Sequence, residues 1–502
     1  MISNPSALRA VKCVGVGVML AMAGCGEMDD QSGDVEGSTS ALAGDAFNNA
    51  NGASRVVTVD GTTIDPTNPF FQSIGTNGRS CVTCHAPSAA MTITPPQIQA
   101  VFNSTNGNDP LFRLNDGSNG PNAPVATLSD KRAAYSLLLS KGLIRIALKL
   151  PATRDFDVRV VLNPYQSTGA NPPQNASVGP TDTTELSFYR RPLLSANTRF
   201  ISAVMWDGRE ATVPAVPANQ KGSDGNGVQA FEVDAPVHIN MLTQANDATR
   251  GHAQSARDLT DAERLSIVNF QMNLVVAQER DNIAGALNLA GATGGPQALR
   301  TQQTFFGIND PIGTNPFGTA FNQNAMTMYA AWAGLSGSTV NNRRASIARG
   351  EAIFNTKTIR ISGVRGVNDA LQGNVNATLN GNCSTCHDHP NVGNHSNILP
   401  LDVGISNPAE GDNVLPVFHV TCRATGAQEE VTDLGRAILT GKCADLAKFK
   451  GPTLRGLSAR APYFHNGAAD SIDEVISFYD RRFHIGFTSQ EIADLKAFLQ
   501  TL

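Results

Sequence analysis

Long apolar runs are scarce in this 502-residue chain. The run from Val14 to Ala23 falls short of the ~20 residues that a bilayer-spanning helix needs. No block of Lys or Arg occurs, and 38 basic residues against 43 acidic ones leave a net charge of -5, so a nucleic-acid footprint is excluded. Tandem repeats are absent. Six Tyr and two Trp are present, few enough that each is weighed singly. Histidine is missing between His85 and His238, and methionine after Met328. With 41% hydrophobic residues, 16% charged, 46 Gly and 27 Pro, what remains is a globular protein rich in loops. Its length suits two or three domains of roughly 150 residues each.

Arg9 and Lys12 precede the apolar run, the layout of a secretory signal over residues 1–24. The run ends in Met22-Ala23-Gly24-Cys25, which resembles the bacterial lipobox, whose Cys takes lipid and becomes the mature N-terminus. Gly26 after it favours the outer membrane. The alternative is cleavage near Ala23 and a soluble periplasmic protein. Residues 25–55 are Gly, Ser, Asn, Asp and Ala with few large apolar side chains, predicting a flexible tether with a reach of ~30 Å. The expected location is the periplasm or cell envelope, with the only membrane contact a lipid on Cys25.

Eight cysteines occur, and Cys13 and Cys25 belong to the export signal. Cys81-Val-Thr-Cys84-His85 and Cys383-Ser-Thr-Cys386-His387 each spell the attachment motif of c-type haem. The spacing has a chemical cause: two thiols form thioethers to haem vinyl groups, and the adjacent imidazole reaches the iron from the same side. Two covalently bound haems are the expected cofactors. A Cys-x-x-Cys redox pair needs no following His, and a zinc site needs its four ligands together, whereas these motifs lie far apart in sequence. Cys422 and Cys443 remain. In an oxidising compartment they are expected to form a disulfide worth ~3 kcal/mol in the chain-entropy model.

The predicted fold is mainly α, two cytochrome c-like haem domains with long loop insertions, the first elaborated (56–335) and the second compact (336–502). In the second, a helix over 344–354 carries Gly350-x-x-x-Phe354, where the small residue admits a close neighbour. The box Thr488-x-x-Glu491 opens a last helix with Ile492, Leu495, Phe498, Leu499 and Leu502 on one face. In the first, helices are expected over 131–150 and, from Thr260-x-x-Glu263, to Arg280. Segments near 164–184, 214–228 and 290–325 are rich in Gly, Pro and Asn and read as surface loops.

Three further landmarks resemble those of the bacterial di-haem cytochrome c peroxidases and their relative MauG. Pro192-Leu-Leu-Ser-Ala-Asn197 with Met205-Trp206-Asp207-Gly208-Arg209 is one. Asp433-Leu-Gly-Arg436 is the second, and the run from Lys448 to Gly467, including Tyr463-Phe-His465, is the third. The resemblance implies that the N-terminal haem meets hydrogen peroxide, that the C-terminal haem handles electrons, and that Trp206 lies between them. It also implies a calcium ion held by the Asn197 side chain and the carbonyls of Arg460 and Pro462. A small periplasmic electron carrier or a partner protein would be the reductant.

Departures from the family pattern carry their own implications. The distal His that relatives requiring reductive activation place between the first motif and Trp206 is missing, unless Met91 or a residue from elsewhere substitutes. The first iron is therefore expected to have an open sixth position. Peroxide cleavage then needs an acid/base group. By position Gln244 is expected to hydrogen-bond in the pocket. No Glu stands where the family has its acid, so His252 or Gln254 takes that role, with an exposed loop histidine the plain alternative for His252. At the second haem the family's Met ligand aligns with Tyr479, as in MauG, and a phenolate favours oxidised iron. A packed core tyrosine is the alternative. His465 reads as a hydrogen-bonding neighbour of that haem rather than a ligand. Three functions follow as expectations: a peroxidase fed by a periplasmic donor such as cytochrome c, a MauG-like oxidant of Trp or Tyr in a partner protein, or a di-haem electron-transfer cytochrome without peroxide chemistry.

Overall fold

Reciprocal capping boxes open three of the longer helices of the computed structural model, which describes residues 46–210, 236–411 and 413–502. The export signal, residues 25–45 and the segment at 214–228 lie outside these. Among the described residues six α-helices have eleven residues or more: α1 (Pro95–Thr105), α2 (Pro236–Gly251), α3 (Asp261–Met272), α4 (Thr339–Thr356), α5 (Ile472–Phe483) and α6 (Ser489–Leu499). Thr94 with Gln97, Thr260 with Glu263 and Thr488 with Glu491 close the boxes of α1, α3 and α6, each satisfying amides that a helix start leaves unpaired.

The helix crossing expected in the C-terminal half is present. At Gly350 of α4 an added Cβ would stand 2.0 Å from the Asp494 carbonyl oxygen of α6, so only glycine lets the backbones approach this closely. One turn later Phe354 meets Phe498 edge-on at 5.6 Å. Arg349 Nε and Nη2 donate to Asp494 at 2.7 and 2.8 Å.

Elsewhere the chain is less helical than its sequence suggested. Twelve strands form four sheets among the described residues, so the fold mixes α and β rather than being mainly α. The strands are β1 (Ala46–Asn49), β2 (Gly52–Thr58), β3 (Ile144–Lys149), β4 (Phe156–Leu162), β5 (Ser177–Val178), β6 (Glu185–Arg190), β7 (Leu274–Asp281), β8 (Gly285–Ala286), β9 (Ile359–Ser362), β10 (Thr378–Gly381), β11 (Val417–Cys422) and β12 (Gln428–Val431). The helix expected over 131–150 is two short ones, Leu128–Ala134 and Ser136–Lys141. Gly142 ends the second at φ 61°, and β3 follows, paired with β6. Likewise α3 stops at Met272, because Leu274, Val275 and Val276 are wholly buried in β7, the inner strand of the sheet β1-β2-β7-β8. β-Branched pairs favour that extended setting. The same sheet corrects the tether, since residues 46–58 form a hairpin docked on β7.

The proposed boundary at 335/336 is bridged. β4 from the first half and β11 from the second are neighbours in the sheet β12-β11-β4-β5, with Phe156, Val160, Phe418 and Val420 wholly buried on it. The Cys422–Cys443 disulfide forms as expected, with Cα atoms 5.7 Å apart, within this cluster. The 290–325 segment is not only surface, because Asp310 in it is 2% exposed.

Candidate functional site

Each attachment motif folds as a single 3₁₀ turn, Cys81–Thr83 and Cys383–Thr385, which brings both thiols and the following imidazole to the wall of one cavity. The four motif cysteines are not disulfide-bonded. Burial pushes the Cys81, Cys383 and Cys386 thiols up to about 12 and Cys84 to about 11. Such thiols do not match the acidic, exposed cysteines of a redox pair. His85 Nδ1 donates to the Met91 carbonyl at 3.1 Å, and His387 Nδ1 to the Gly393 carbonyl at 2.5 Å. With the proton fixed on Nδ1, each Nε2 keeps its lone pair for a metal. Burial also lowers the His85 pKa to about 4, which keeps the ring neutral.

The first cavity has an empty volume of about 1570 Å³ and the second about 1640 Å³. Both fit haem, and the polar atoms around them support the fit. Arg191 is buried and Lys450 and Arg460 are partly so, and all three contact backbone carbonyls and no carboxylate among the described residues. Burial depresses them, Lys450 to about 7, Arg191 to about 9 and Arg460 to about 10. Unpaired buried cations are costly, and the two propionates of a haem would supply the missing anions. Arg191 lines the first cavity, Arg460 the second, and Lys450 both. The sequence reading assigned no role to Lys450, although it lies inside the quoted C-terminal signature.

One face of α2 and the turn after it lines the first cavity: Met241, Gln244, Ala245, Ala248, Thr249 and His252. This i, i+3, i+4, i+7 spacing is one helical stripe. Gln244 and His252 thus both line this cavity. His252 Nδ1 lies 2.5 Å from Asp116 Oδ2, and Asp116 Oδ1 is bound in turn by Arg79 Nη1. Burial alone would raise the Asp116 pKa. The His252 and Arg79 contacts outweigh it and hold the carboxyl below its ordinary value. Asp116 was missed because it lies 136 residues from its partner with no local motif around it.

Gln254 does not join them. Its backbone turns to φ 54°, and its carbonyl and amide oxygens are directed to Thr76 and Asn77 at 2.8 and 3.4 Å. Met91 is no substitute ligand either: its carbonyl holds His85 and its side chain packs into an apolar cluster. His238 is also outside the cavity and contacts Asn269 at 3.1 Å. Two thioethers, Met205 and Met241, do line the cavity, packed in its apolar wall.

Trp206 lines both cavities. It is 8% exposed, and its indole N–H donates to the Arg191 carbonyl at 2.8 Å. A buried ion network fixes its neighbours. Arg190 binds Asp207 at 2.5 Å and Asp433 at 2.7 and 2.8 Å, joining the Trp-Asp-Gly-Arg and Asp-Leu-Gly-Arg segments. Tyr479 of α5 lines the second cavity, and burial raises its phenol pKa. His465 lies between Phe449, stacked at 3.9 Å, and Trp206 at 6.2 Å. Burial lowers its pKa to about 4, consistent with a packing and hydrogen-bonding role. Two of the residues expected to hold calcium, Asn197 and Arg460, have protein partners. The Asn197 amide is paired with both the N–H and the C=O of Val276 at 3.0 Å, and the Arg460 carbonyl receives the Arg191 guanidinium at 3.3 Å.

No family model matches the chain. A solved MauG-like protein associated with microbial copper homeostasis overlaps 65% of this chain and 76% of its own, at 16% identity and a TM-score of 0.28. Three curated relatives are the cytochrome-c peroxidase IdrP1 of Pseudomonas sp. (strain SCT), 32% identical over 156 residues, IdrP2 of Denitromonas iodatirespirans, 29% over 136, and the cytochrome c551 peroxidase of Nitrosomonas europaea, 30% over 135. The matches cover 27%, 25% and 27% of this chain and only 40%, 37% and 34% of the relatives' own lengths. Over about a quarter of its length the chain is thus similar to bacterial cytochrome-c peroxidases, and it spans well under half of those relatives' own lengths.

Proposed function

We propose that the chain is an exported di-haem peroxidase that reduces hydrogen peroxide to water with electrons from a small periplasmic carrier. The observation that carries this reading is the shared wall: Trp206 lines both cavities, while the Asp116–His252 pair lines only the first.

Covalently held c-type haem would supply the redox-active iron and the porphyrin that stores oxidising equivalents. His85 and His387, whose Nδ1 protons are held by backbone carbonyls, would hold the irons through Nε2. In the first cavity Asp116 keeps the proton of His252 on Nδ1, so Nε2 is free to take a proton from peroxide and return it to the departing oxygen. Gln244, three residues after Met241 on the same stripe, orients the substrate by hydrogen bonding. Trp206 provides the aromatic path between the cavities, held in plane by Arg191. The test is steady-state oxidation of a reduced bacterial cytochrome c by the holoprotein with peroxide. Turnover that collapses in His252→Ala with both haems retained supports the reading, and turnover unchanged in that variant contradicts it.

Tyr479 favours a second reading, since a phenol rather than a thioether faces the second cavity. A phenolate ligand stabilises oxidised iron, which suits MauG-like oxidation of Trp or Tyr in a partner protein. Competition between ascorbate and a reduced cytochrome for the peroxide-treated protein separates the two.

A further inference from the structure

The haem cavities leave one cluster of buried charge unexplained. Asp310 comes from the 290–325 segment, Asp388 follows His387 directly, and His395 lies just past Gly393. One ring nitrogen and one oxygen of each carboxylate all fall within 4.8 Å of one another. His395 Nε2 is 3.7 Å from Asp310 Oδ1, and Nδ1 is 3.2 Å from Asp388 Oδ1. The side chains of both aspartates are wholly buried and that of His395 is 3% exposed.

Two observations beyond proximity point to a ligand. The first is unmet bonding. Asp310 Oδ1 and both ring nitrogens of His395 lack an aligned hydrogen bond. The other carboxylate oxygens are anchored: Asp310 Oδ2 takes the Thr314 N–H at 2.9 Å and its hydroxyl, and Asp388 takes the Ser396 N–H at 2.7 Å and its hydroxyl at 2.8 Å. Polar side chains this buried are normally satisfied. The second observation is charge. No Lys or Arg among the described residues stands in ion-pair contact with Asp310 or Asp388, so even a protonated imidazole leaves one negative charge over. An uncompensated buried ion costs several kcal/mol, and a divalent cation balances both carboxylates at once.

The geometry points to a metal site in which Asp310, Asp388 and one ring nitrogen of His395 bind a single divalent transition-metal ion, with zinc the best match. Imidazole with carboxylates is a zinc donor set. Ligands about 2.1 Å from zinc in a tetrahedron lie about 3.4 Å apart, near the 3.7 Å between Nε2 and Oδ1. Burial makes the ion structural and loaded during folding. It staples Asp310 to the loop that carries His387 and its acceptor Gly393, and so fixes the orientation of the proximal ring. The site stands independently of the peroxide reading.

The test is elemental analysis of the holoprotein, produced in zinc-supplemented medium and passed through chelator. The expected result is about one zinc per chain beside two haem irons, with at least a tenfold loss in Asp310→Asn and in His395→Asn at unchanged haem content. Wild-type protein without zinc, or zinc undiminished in both variants, overturns the assignment. Should the variants fail to incorporate haem, anomalous diffraction of the wild-type protein at the zinc edge decides. A peak among the three side chains supports the site, and its absence there overturns it.

Discussion

Asp116→Asn is the sharpest perturbation of the proposed acid/base pair. The carboxylate is 5% exposed and accepts from His252 Nδ1 at 2.5 Å, with Arg79 on its other oxygen. Asparagine preserves the shape. It keeps its oxygen for Arg79 and turns an N–H₂ toward Nδ1. That donor is satisfied only if Nδ1 gives up its proton, so the imidazole proton moves to Nε2, the nitrogen needed as base. A positioned acid/base group contributes about a hundredfold to ten-thousandfold, and the variant should lose most of that in its second-order reaction with peroxide. Stopped-flow bleaching of the haem band measures the rate, with pyridine haemochrome confirming two haems. The wild-type carboxyl is held below its ordinary value by His252 and Arg79, against the opposing effect of burial. A rate within twofold of wild type, with both haems retained, would refute the reasoning.

Three other outcomes are expected. Tyr479→Phe removes the phenol oxygen from the second cavity, and electron paramagnetic resonance should show a changed low-spin signal with the high-spin signal unaltered. Gly350→Ala places a Cβ 2.0 Å from the Asp494 carbonyl, and the forced separation of α4 and α6 should destabilise by about 1–3 kcal/mol or more, read by denaturant unfolding. The Glu351 carboxyl is raised to about 7 by burial, against the pull of the Met328 and Tyr329 amides that donate to it. Its protonated form is therefore favoured by folding. That contribution is full below about pH 4.5 and lost as pH rises through 7, so melting temperature from pH 5 to 8 should fall less in Glu351→Gln than in wild type.

What the sequence disclosed depended on how local the signal was. The attachment motifs, the capping boxes and the Gly350-x-x-x-Phe354 pattern are all set by residues within a few turns of each other. Gln254 itself takes a left-handed backbone after α2, which directs its oxygens to Thr76 and Asn77. The strand β7 was read as helix because a capping box fixes where a helix starts, whereas its end here is set by pairing with β2, more than 200 residues away in sequence. The pairing of β4 with β11, the Asp116–His252 contact and the Asp310 cluster share that long range, and no local pattern announces them.

The most direct measurement of the central claim is electron paramagnetic resonance of the resting ferric protein. An iron on His85 without a sixth protein ligand, beside an iron on His387 filled by Tyr479, predicts one high-spin and one low-spin signal. It also predicts that cyanide converts only the high-spin signal. Two low-spin signals, with neither responding to cyanide, would contradict it.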